Sequence, residues 1–289
     1  MNDYLIKAID KTKNLRLLTI TATDMVATCQ ESQDLWRNST AALGRTLIGS
    51  TLLAAASLVE HEELTVRVLG DGPVGPIVVT AKSNLQVKGY VKNPHIALPA
   101  NDKGHIDVKK GVGKGWFEVT KDMGLKEPYT GQVPIVSGEI AEDFAYYLTK
   151  SEQIPSAVGL SVFVNPNNTV RVAGGFMLQA LPGASDQLID ETIKRIDQLP
   201  PLSTAFMDGM TPEELAKRII GDDCKILEKD PVEYHCDCSK EKYAKIIATL
   251  SRKQLTEMIE KDHGAELTCS FCKKKYHFTE DELKALRKD

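Results

Sequence analysis

The stretch ELTVRVLGDGPVGPIVVTAKSNLQVKGYV, residues 63–91, decides the fold class of most of the chain. It contains three short runs rich in β-branched residues, over 63–69, 77–80 and 86–91, which glycine, proline and asparagine separate. No helical pattern lies between the runs, although parallel strands would need such a crossover. The stretch therefore predicts consecutive antiparallel strands.

Residues 70–75 of this stretch, GDGPVG, match the GxGxxG pattern of dinucleotide-binding loops. In those loops a helix begins directly after the glycines and binds the phosphates at its N-terminus. Here Pro76 and the β-branched run from Ile77 predict another strand instead. We therefore interpret the match as a turn between strands rather than a nucleotide site.

Elements of both types flank this stretch and predict an α+β fold. Strands are predicted over 4–9, 15–22, 116–120, 157–164 and 170–179, and helices over 39–58, 139–150, 185–199 and 212–220. Thr211 and Glu214 have capping-box spacing at the start of the last helix. The predicted segments are an N-terminal mixed α/β domain on an antiparallel sheet (1–184), a helical linker (185–230) and a small C-terminal zinc-binding domain (231–289).

Four of the cysteines form two close pairs in the C-terminal segment. Two pairs supply four thiolates, the donor set that fills the tetrahedral sphere of a structural Zn²⁺ and leaves no position for activating water. A segment this small also buries too little apolar surface to fold without a staple. The sequence therefore predicts one Zn²⁺ per chain, held by Cys236, Cys238, Cys269 and Cys272.

Three nearby histidines and the other two cysteines are left out of the predicted zinc site. His235, His263 and His277 lie in the same segment, but four cysteines already complete a zinc site. Cys29 lies in a predicted helix and is interpreted as an ordinary buried cysteine. Cys224 in the linker is open to two interpretations, packing or disulfide exchange after unfolding.

Composition and charge exclude several classes of partner. The net charge is -4, and the segment from Pro231 carries 12 Lys plus Arg against 11 Asp plus Glu, so no strong positive field is available for nucleic acid. The most apolar stretch, residues 47–59, is too short to span a bilayer, and the N-terminus lacks the features of a secretory signal. We expect no nucleic-acid or membrane partner and a reducing, cytoplasmic location.

The functional alternatives differ in what the cysteines do. No nucleophile or acid/base motif indicates an enzyme, and a CXXC thiol oxidoreductase would need a βαβ context. A zinc ribbon that binds nucleic acid or protein, without a redox switch, is the main alternative. Thiolates are the form that oxidants attack, so a small domain folded by zinc can also act as a redox sensor.

Motifs along nearly the whole chain resemble the redox-regulated 33 kDa heat-shock chaperone family (33 kDa chaperonin). They are the CXC and CXXC pairs followed by Tyr276-His277-Phe278 and, upstream, residues 70–75, 151–157 and 174–184 in the same order. The resemblance implies an ATP-independent holdase of the bacterial cytoplasm, not an enzyme, that is inactive while reduced and zinc-bound. It further implies that oxidation forms the disulfides Cys236–Cys238 and Cys269–Cys272, releases zinc, unfolds the tail and linker, and yields a homodimer that binds unfolded proteins.

The predicted linker helices give this mechanism an apolar surface. Each helix has one apolar face that must pack on something in the reduced state, and the N-terminal domain is the expected partner. Loss of the zinc domain would loosen this packing and expose apolar area to unfolded clients. The candidate client-binding residues are Leu188, Ile189, Ile193, Leu215 and Ile219.

Overall fold

The structure, a computed structural model, describes residues 3–286. The chain divides into two compact units, which we name the large unit, through His235, and the small unit, from Cys236. The elements of the large unit are β1 (Tyr4–Ile9), β2 (Leu15–Thr21), α1 (Thr23–Gln33), α2 (Arg37–Ser57), β3 (Glu63–Gly70), β4 (Ile77–Lys82), β5 (Gln86–Val91), α3 (Val108–Val112), β6 (Gly115–Asp122), β7 (Tyr129–Pro134), α4 (Ala141–Lys150), β8 (Ser156–Val164), β9 (Val170–Ala180), α5 (Asp186–Asp197), α6 (Leu202–Met207), α7 (Pro212–Ile220), β10 (Lys225–Pro231) and β11 (Glu233–Tyr234). Those of the small unit are α8 (Lys240–Ile247), α9 (Arg252–Glu260), β12 (Gly264–Thr268), β13 (Lys275–Thr279) and α10 (Glu280–Leu286).

Two sheets form the large unit and confirm the predicted α+β class. The first sheet has the order β10-β1-β2-β9-β8, and every neighbouring pair in it is antiparallel. The second has the order β11-β5-β4-β3-β6-β7, antiparallel except for the short parallel pair of β11 with β5. The stretch 63–91 supplies β3, β4 and β5, which are adjacent in space as predicted.

The long helix α2 lies at the centre of the large unit. It packs against β2, β8 and β9 of the first sheet and β3, β4 and β5 of the second, and most of its residues are buried. A helix that is apolar or small-sided all round suits this place. Gly49 allows close packing, because a Cβ atom there would lie 2.2 Å from the ring of Phe144.

The predicted linker helices cover the opposite face of the first sheet. Ile6, Ala8, Leu15 and Leu17 of that face form a buried cluster with residues of α6 and α7, namely Phe206, Leu215, Ala216, Ile219 and Ile220. Thr211 and Glu214 form the predicted capping box of α7. The expectation that the apolar faces of the linker helices pack on the N-terminal domain is thus confirmed.

Three strands of the large unit have no counterpart in the sequence prediction. Lys225–Pro231, which lies within the predicted helical linker, is the edge strand β10. Its sequence KILEKDP lacks the alternation of apolar residues that marks a half-buried strand, because nearly all of its side chains are exposed. The two-residue β11 and the mostly exposed β7 were missed for the same reason.

The small unit is built around a modest core. Its buried apolar residues are Ile247, Leu255, Ile259, Tyr276, Phe278 and Leu283. Ser251 with Gln254, and Thr279 with Glu282, form the predicted capping interactions of α9 and α10. The antiparallel pair β12–β13 completes the unit and presents the turn that carries two of the cysteines.

Candidate metal and redox site

The four cysteines of the small unit come from two short loops. Cys236 and Cys238 precede α8, whose first turn is capped by the side chain of Ser239 accepting from the amide of Lys242. Cys269 and Cys272 lie in the turn between β12 and β13. In that turn the amide of Cys269 donates to the carbonyl of Lys274, and the amide of Lys273 donates to the carbonyl of Cys269, both at 2.9 Å.

The four sulfur atoms form one cluster, all within 4.8 Å of one another. The Sγ atoms of Cys236 and Cys269 are 3.7 Å apart, and those of Cys238 and Cys272 are 3.4 Å apart. Four thiolates at about 2.3 Å from a tetrahedral Zn²⁺ would have sulfur–sulfur separations of about 3.8 Å. The cluster therefore fits a tetrahedral metal ion, and the cysteines are free thiols rather than disulfides.

Among residues 3–286 these cysteines are the one group of histidine, cysteine and carboxylate side chains placed to hold a metal ion. The three histidines considered from the sequence have other neighbours. His263 Nδ1 is 3.3 Å from Glu280, and His277 Nδ1 is 3.4 Å from Glu266. The four-sulfur set predicted from spacing is thus the set that the fold brings together.

A tyrosine hydroxyl adjoins the sulfur cluster. Tyr276 Oη lies 3.1 Å from Cys238 Sγ and donates to the carbonyl of Cys238 at 2.9 Å. Its ring packs against that of Tyr243, with centroids 5.0 Å apart. Because the hydroxyl has one proton, a free Cys238 thiol can donate to Tyr276 Oη in this contact, whereas toward a metal-bound thiolate, which has no proton, the hydroxyl would be the donor. The sequence placed an aromatic residue near the site without showing that it meets a sulfur.

The pKa values of two cysteines in the cluster are shifted in opposite directions. Burial raises the pKa of Cys269, but hydrogen bonds from Tyr243 and from the amides of Cys272 and Phe271 outweigh burial and lower its pKa to about 6. Burial also raises the pKa of Cys236, and there its effect prevails. The turn amides thus favour thiolate at Cys269, whereas burial raises the pKa of Cys272 in the same pair. Thiolate is the form that binds metal and reacts with oxidants.

The remaining two cysteines belong to the large unit. Cys29 is buried in α1, where the side-chain amide of Gln33 lies 3.3 Å from its sulfur, in agreement with the interpretation of a packed residue. Cys224 is partly buried, and burial raises its pKa above the ordinary range of a thiol. Neither thiol has the environment of a reactive nucleophile.

The candidate client-binding residues differ in exposure. Leu215 and Ile219 of α7 are fully buried against the first sheet, whereas Leu188 and Ile189 of α5 are partly buried. Ile193 is 45% exposed. Ile189 and Ile193 line an apolar cavity of about 170 Å³ together with Leu15, Pro155, Ser156, Ala157, Leu178 and Ala180.

The GxGxxG segment has a structural explanation. It joins β3 to β4, and no helix follows it, as predicted. Its glycines let two backbones approach, since a Cβ atom on Gly72 would lie 2.3 Å from the carbonyl oxygen of Gly111. The segment therefore forms a tight backbone contact and lacks the helix N-terminus that dinucleotide loops use.

Comparison with known proteins decides the family. The family model for the Hsp33 protein matches residues 3–279 of the chain. The chain belongs to the Hsp33 family. The 33 kDa chaperonin of Lactobacillus acidophilus is 74% identical over 286 residues, which cover 99% of this chain and 97% of that protein. The 33 kDa chaperonin of Latilactobacillus sakei is 54% identical over 288 residues, or 99% of each chain.

A solved Hsp33 structure agrees with the fold described above. The crystal structure of the 33 kDa chaperonin from Thermotoga maritima matches with a TM-score of 0.93 at 35% identity, covering 99% of this chain and 98% of that chain. The resemblance inferred from the motifs is therefore confirmed, and the chain is a chaperone of the Hsp33 family. Within residues 3–286, no helix is both long and apolar enough to cross a membrane.

Proposed function

We propose that the chain is a redox-regulated, ATP-independent holdase whose four clustered cysteines form the switch. In the reduced protein the cysteines hold one Zn²⁺ and the holdase is inactive. Oxidation pairs them as the disulfides Cys236–Cys238 and Cys269–Cys272, and the protein then binds unfolding clients. The observation that carries this proposal is the cluster of four sulfurs within 4.8 Å in a small unit of an Hsp33-family chain.

The redox step balances with a peroxide as oxidant. Two thiolates, one hydrogen peroxide and two protons give one disulfide and two waters, so two peroxides are needed for both disulfides. Zinc, when bound, keeps the four thiolates deprotonated and links the two loops. The sulfurs of a disulfide are no longer thiolate ligands, so oxidation removes the staple of the small unit.

The weak core of the small unit connects cysteine oxidation to unfolding. Domains of this size commonly depend on a metal or another staple for their stability. We assign the roles by segment: 1–184 as the chaperone domain, 185–230 as the linker and 231–289 as the redox switch. Loosening of the linker would uncover Leu215 and Ile219, which are fully buried, beside the more exposed Ile193.

We further propose that the protein acts on unfolding clients in the bacterial cytoplasm. Clients are unfolding proteins, which are recognised through apolar area that is buried in the reduced state. The active oxidised form is a homodimer, in the bacterial cytoplasm, where thiols are kept reduced until an oxidant appears.

The test is suppression of aggregation of a thermally unfolding client, without ATP, by the full chain in its reduced zinc-loaded and oxidised forms. The oxidised form is expected to suppress aggregation and the reduced form to leave it unchanged. Zinc release and thiol loss are titrated on the same samples, with one zinc and four thiols expected per chain. Equal activity of the two forms, or none in either, would contradict the proposal.

Matched variants separate the switch from cysteine oxidation in general. Cys238→Ser removes one switch thiol, whereas Cys224→Ser removes a partly buried thiol of the large unit. Only the first is expected to change zinc content and the response to peroxide. A shift of a nucleic-acid probe that weakens with salt would instead favour the zinc-ribbon alternative.

A further inference from the structure

The segment that leads into the first candidate zinc ligand is an edge strand of both sheets. We name residues 225–235 the strap; it contains β10 and β11 and ends directly before Cys236. In the first sheet β10 is the outermost strand beside β1, and in the second sheet β11 is the outermost strand beside β5. One continuous segment therefore covers an edge of each sheet.

The side chains of β10 contribute little burial. In β10 every residue except Asp230 is exposed, including the apolar Ile226 and Leu227, which are 39% and 50% exposed. Val232 is the buried apolar residue of the strap. Tyr234 is partly buried and packs against the larger hydrophobic cluster, and its hydroxyl donates to the carbonyl of Gly89 at 3.1 Å. Exposed main-chain pairing of this kind belongs to the low-stability end of a fold.

Two ion pairs and one cation–π contact attach side chains of β10, and in the latter the Lys229 ammonium lies 3.9 Å from the ring centroid of Tyr4. Lys7 of β1 contacts Glu228 at 2.6 Å, and Lys229 contacts Glu213 of α7 at 2.9 Å. The register of β10 on β1 also shifts between Lys7 and Ala8. Exposed ion pairs contribute little to stability, and the irregular register interrupts the ladder.

The strand beneath the strap is fixed by contrast. Leu5, Ile6 and Ala8 of β1 are fully buried, and they face the two clusters on opposite sides of the first sheet. β1 also pairs along its whole length with β2. If the strap leaves, β1 therefore stays in place and presents a row of unpaired amides and carbonyls, which is a template for another strand.

We propose that the strap occupies, in the reduced protein, the edge of β1 where an extended segment of an unfolded client pairs after oxidation. The inference rests on the proposed function and names the surface and the client chemistry: an extended polypeptide recognised through its main chain. The strap itself is the argument for this occupant, since it is an extended segment of mostly exposed residues already paired there. Unfolding of the adjoining small unit is the event that frees its C-terminal end.

The probe is a fluorescein-labelled synthetic peptide with the strap sequence, KILEKDPVEYH, added to the full chain. It is expected to bind the oxidised form at least tenfold more tightly than the reduced zinc-loaded form. Two further peptides carry N-methyl groups on alternate residues, one on each edge of the strand. One of them should lose at least tenfold in affinity and the other should bind like the parent; equal binding of all three would overturn main-chain pairing.

A proline substitution tests the strap without oxidation. Asp230→Pro replaces a residue of β10 that pairs with Leu5, two positions from Val232, whose amide donates to the carbonyl of Asp3. Because proline has no amide to donate, in the reduced protein this variant should raise peptide affinity to within about threefold of that of the oxidised chain. Gln132→Pro is the matched control, because Gln132 is an exposed residue of β7, the opposite edge of the second sheet. Equal peptide affinities of the two reduced variants would contradict the role of the strap.

Hydrogen exchange with a protein client identifies the occupant. The amides of β1 should exchange faster after oxidation and become protected again when client binds. Aggregation suppression without protection of β1 would overturn this inference and leave the proposed function intact, whereas absence of suppression would overturn the proposed function. Protection of β1 in the oxidised chain alone, rising with protein concentration, would assign the edge to a second copy's strap and overturn the client assignment.

Discussion

The two units of the molecule obtain their stability in different ways. The large unit encloses α2 between two sheets and buries a second cluster under the linker helices, so its core is extensive on both faces of the first sheet. Within residues 236–286, the core of the small unit consists of six buried apolar residues, beside a cluster of four sulfurs. A large core makes one unit independent of ligands, whereas a small core makes the other dependent on what its cysteines hold.

Removal of the metal should strongly destabilise the small unit and leave the large unit unchanged. Chelation of zinc, or Cys269→Ser, is expected to unfold the small unit, because metal binding contributes on the order of 10 kcal/mol to the folding of structural zinc sites. Hydrogen exchange should show loss of protection over residues 240–286 and unchanged protection in α2. Cys224→Ser is the control. Full protection of the small unit after chelation would show that its core suffices.

Truncation of a core side chain should destabilise the large unit. Phe144 is fully buried, and its ring meets that of Phe117 edge-on with centroids 4.8 Å apart. Phe144→Ala is expected to lower the free energy of unfolding of the large unit by about 3–5 kcal/mol, measured by urea denaturation. Phe163→Ala, at a residue 40% exposed, should cost much less. Similar losses in both variants would contradict the location of the core.

The stability of the large unit should depend on pH through Asp3. Burial raises the pKa of Asp3 to about 6, against the opposing hydrogen bond from the amide of Met25. Because the pKa of Asp3 is higher in the folded than in the unfolded chain, the protonated carboxyl stabilises the folded state. This stabilisation is complete below about pH 4 and is lost as pH rises through 6. Asp3→Asn should therefore stabilise the large unit by about 2 kcal/mol at pH 8 and leave it unchanged at pH 4.

Asp10 provides the control of opposite sign. Burial raises its pKa, but hydrogen bonds from Thr12, Leu15 and Asn14 outweigh burial and lower it. Its contribution is therefore present above the unfolded pKa and is lost as pH falls, so Asp10→Asn should destabilise the large unit at neutral pH. Parallel pH profiles of the Asp3 and Asp10 variants, followed by thermal unfolding, would contradict both assignments.

The smallest effect concerns the hydrogen bonds of the sulfur cluster. Tyr276→Phe removes the hydroxyl that lies 3.1 Å from Cys238 Sγ. We expect a loss of about 1 kcal/mol in the small unit and faster release of zinc to a chromogenic chelator under peroxide. Tyr129→Phe, at an exposed residue of the large unit, is the control. Unchanged release in both variants would show that the hydroxyl does not tune the site.

Much of this architecture could be predicted from local patterns. The β-branched runs of residues 63–91 and the capping residues Thr211 and Ser251 mark their elements because they act through neighbours in the sequence. The four cysteines could be grouped because zinc requires four donors and two close pairs supply them. The family resemblance added the redox interpretation, which spacing alone leaves open.

The unpredicted features depend on contacts between distant segments. β10 is a strand because β1 has an open edge, and its exposed side chains carry no periodic signal. The difference between buried Leu215 and exposed Ile193 follows from where α7 and α5 lie on the first sheet, which helical periodicity does not determine. The contact of Tyr276 with Cys238 joins residues 38 positions apart, beyond any local pattern.

The most direct test follows one oxidation time course on one sample of the full chain. Thiol loss, zinc release, hydrogen exchange in both units and suppression of client aggregation are measured at each time point. We expect the loss of four thiols, the hydrogen exchange of the small-unit amides and the suppression of client aggregation to increase together. The amides of α2 should stay protected from exchange throughout. Suppression of client aggregation that begins before the small-unit amides exchange, or that is already complete in the reduced protein, would contradict the proposed switch.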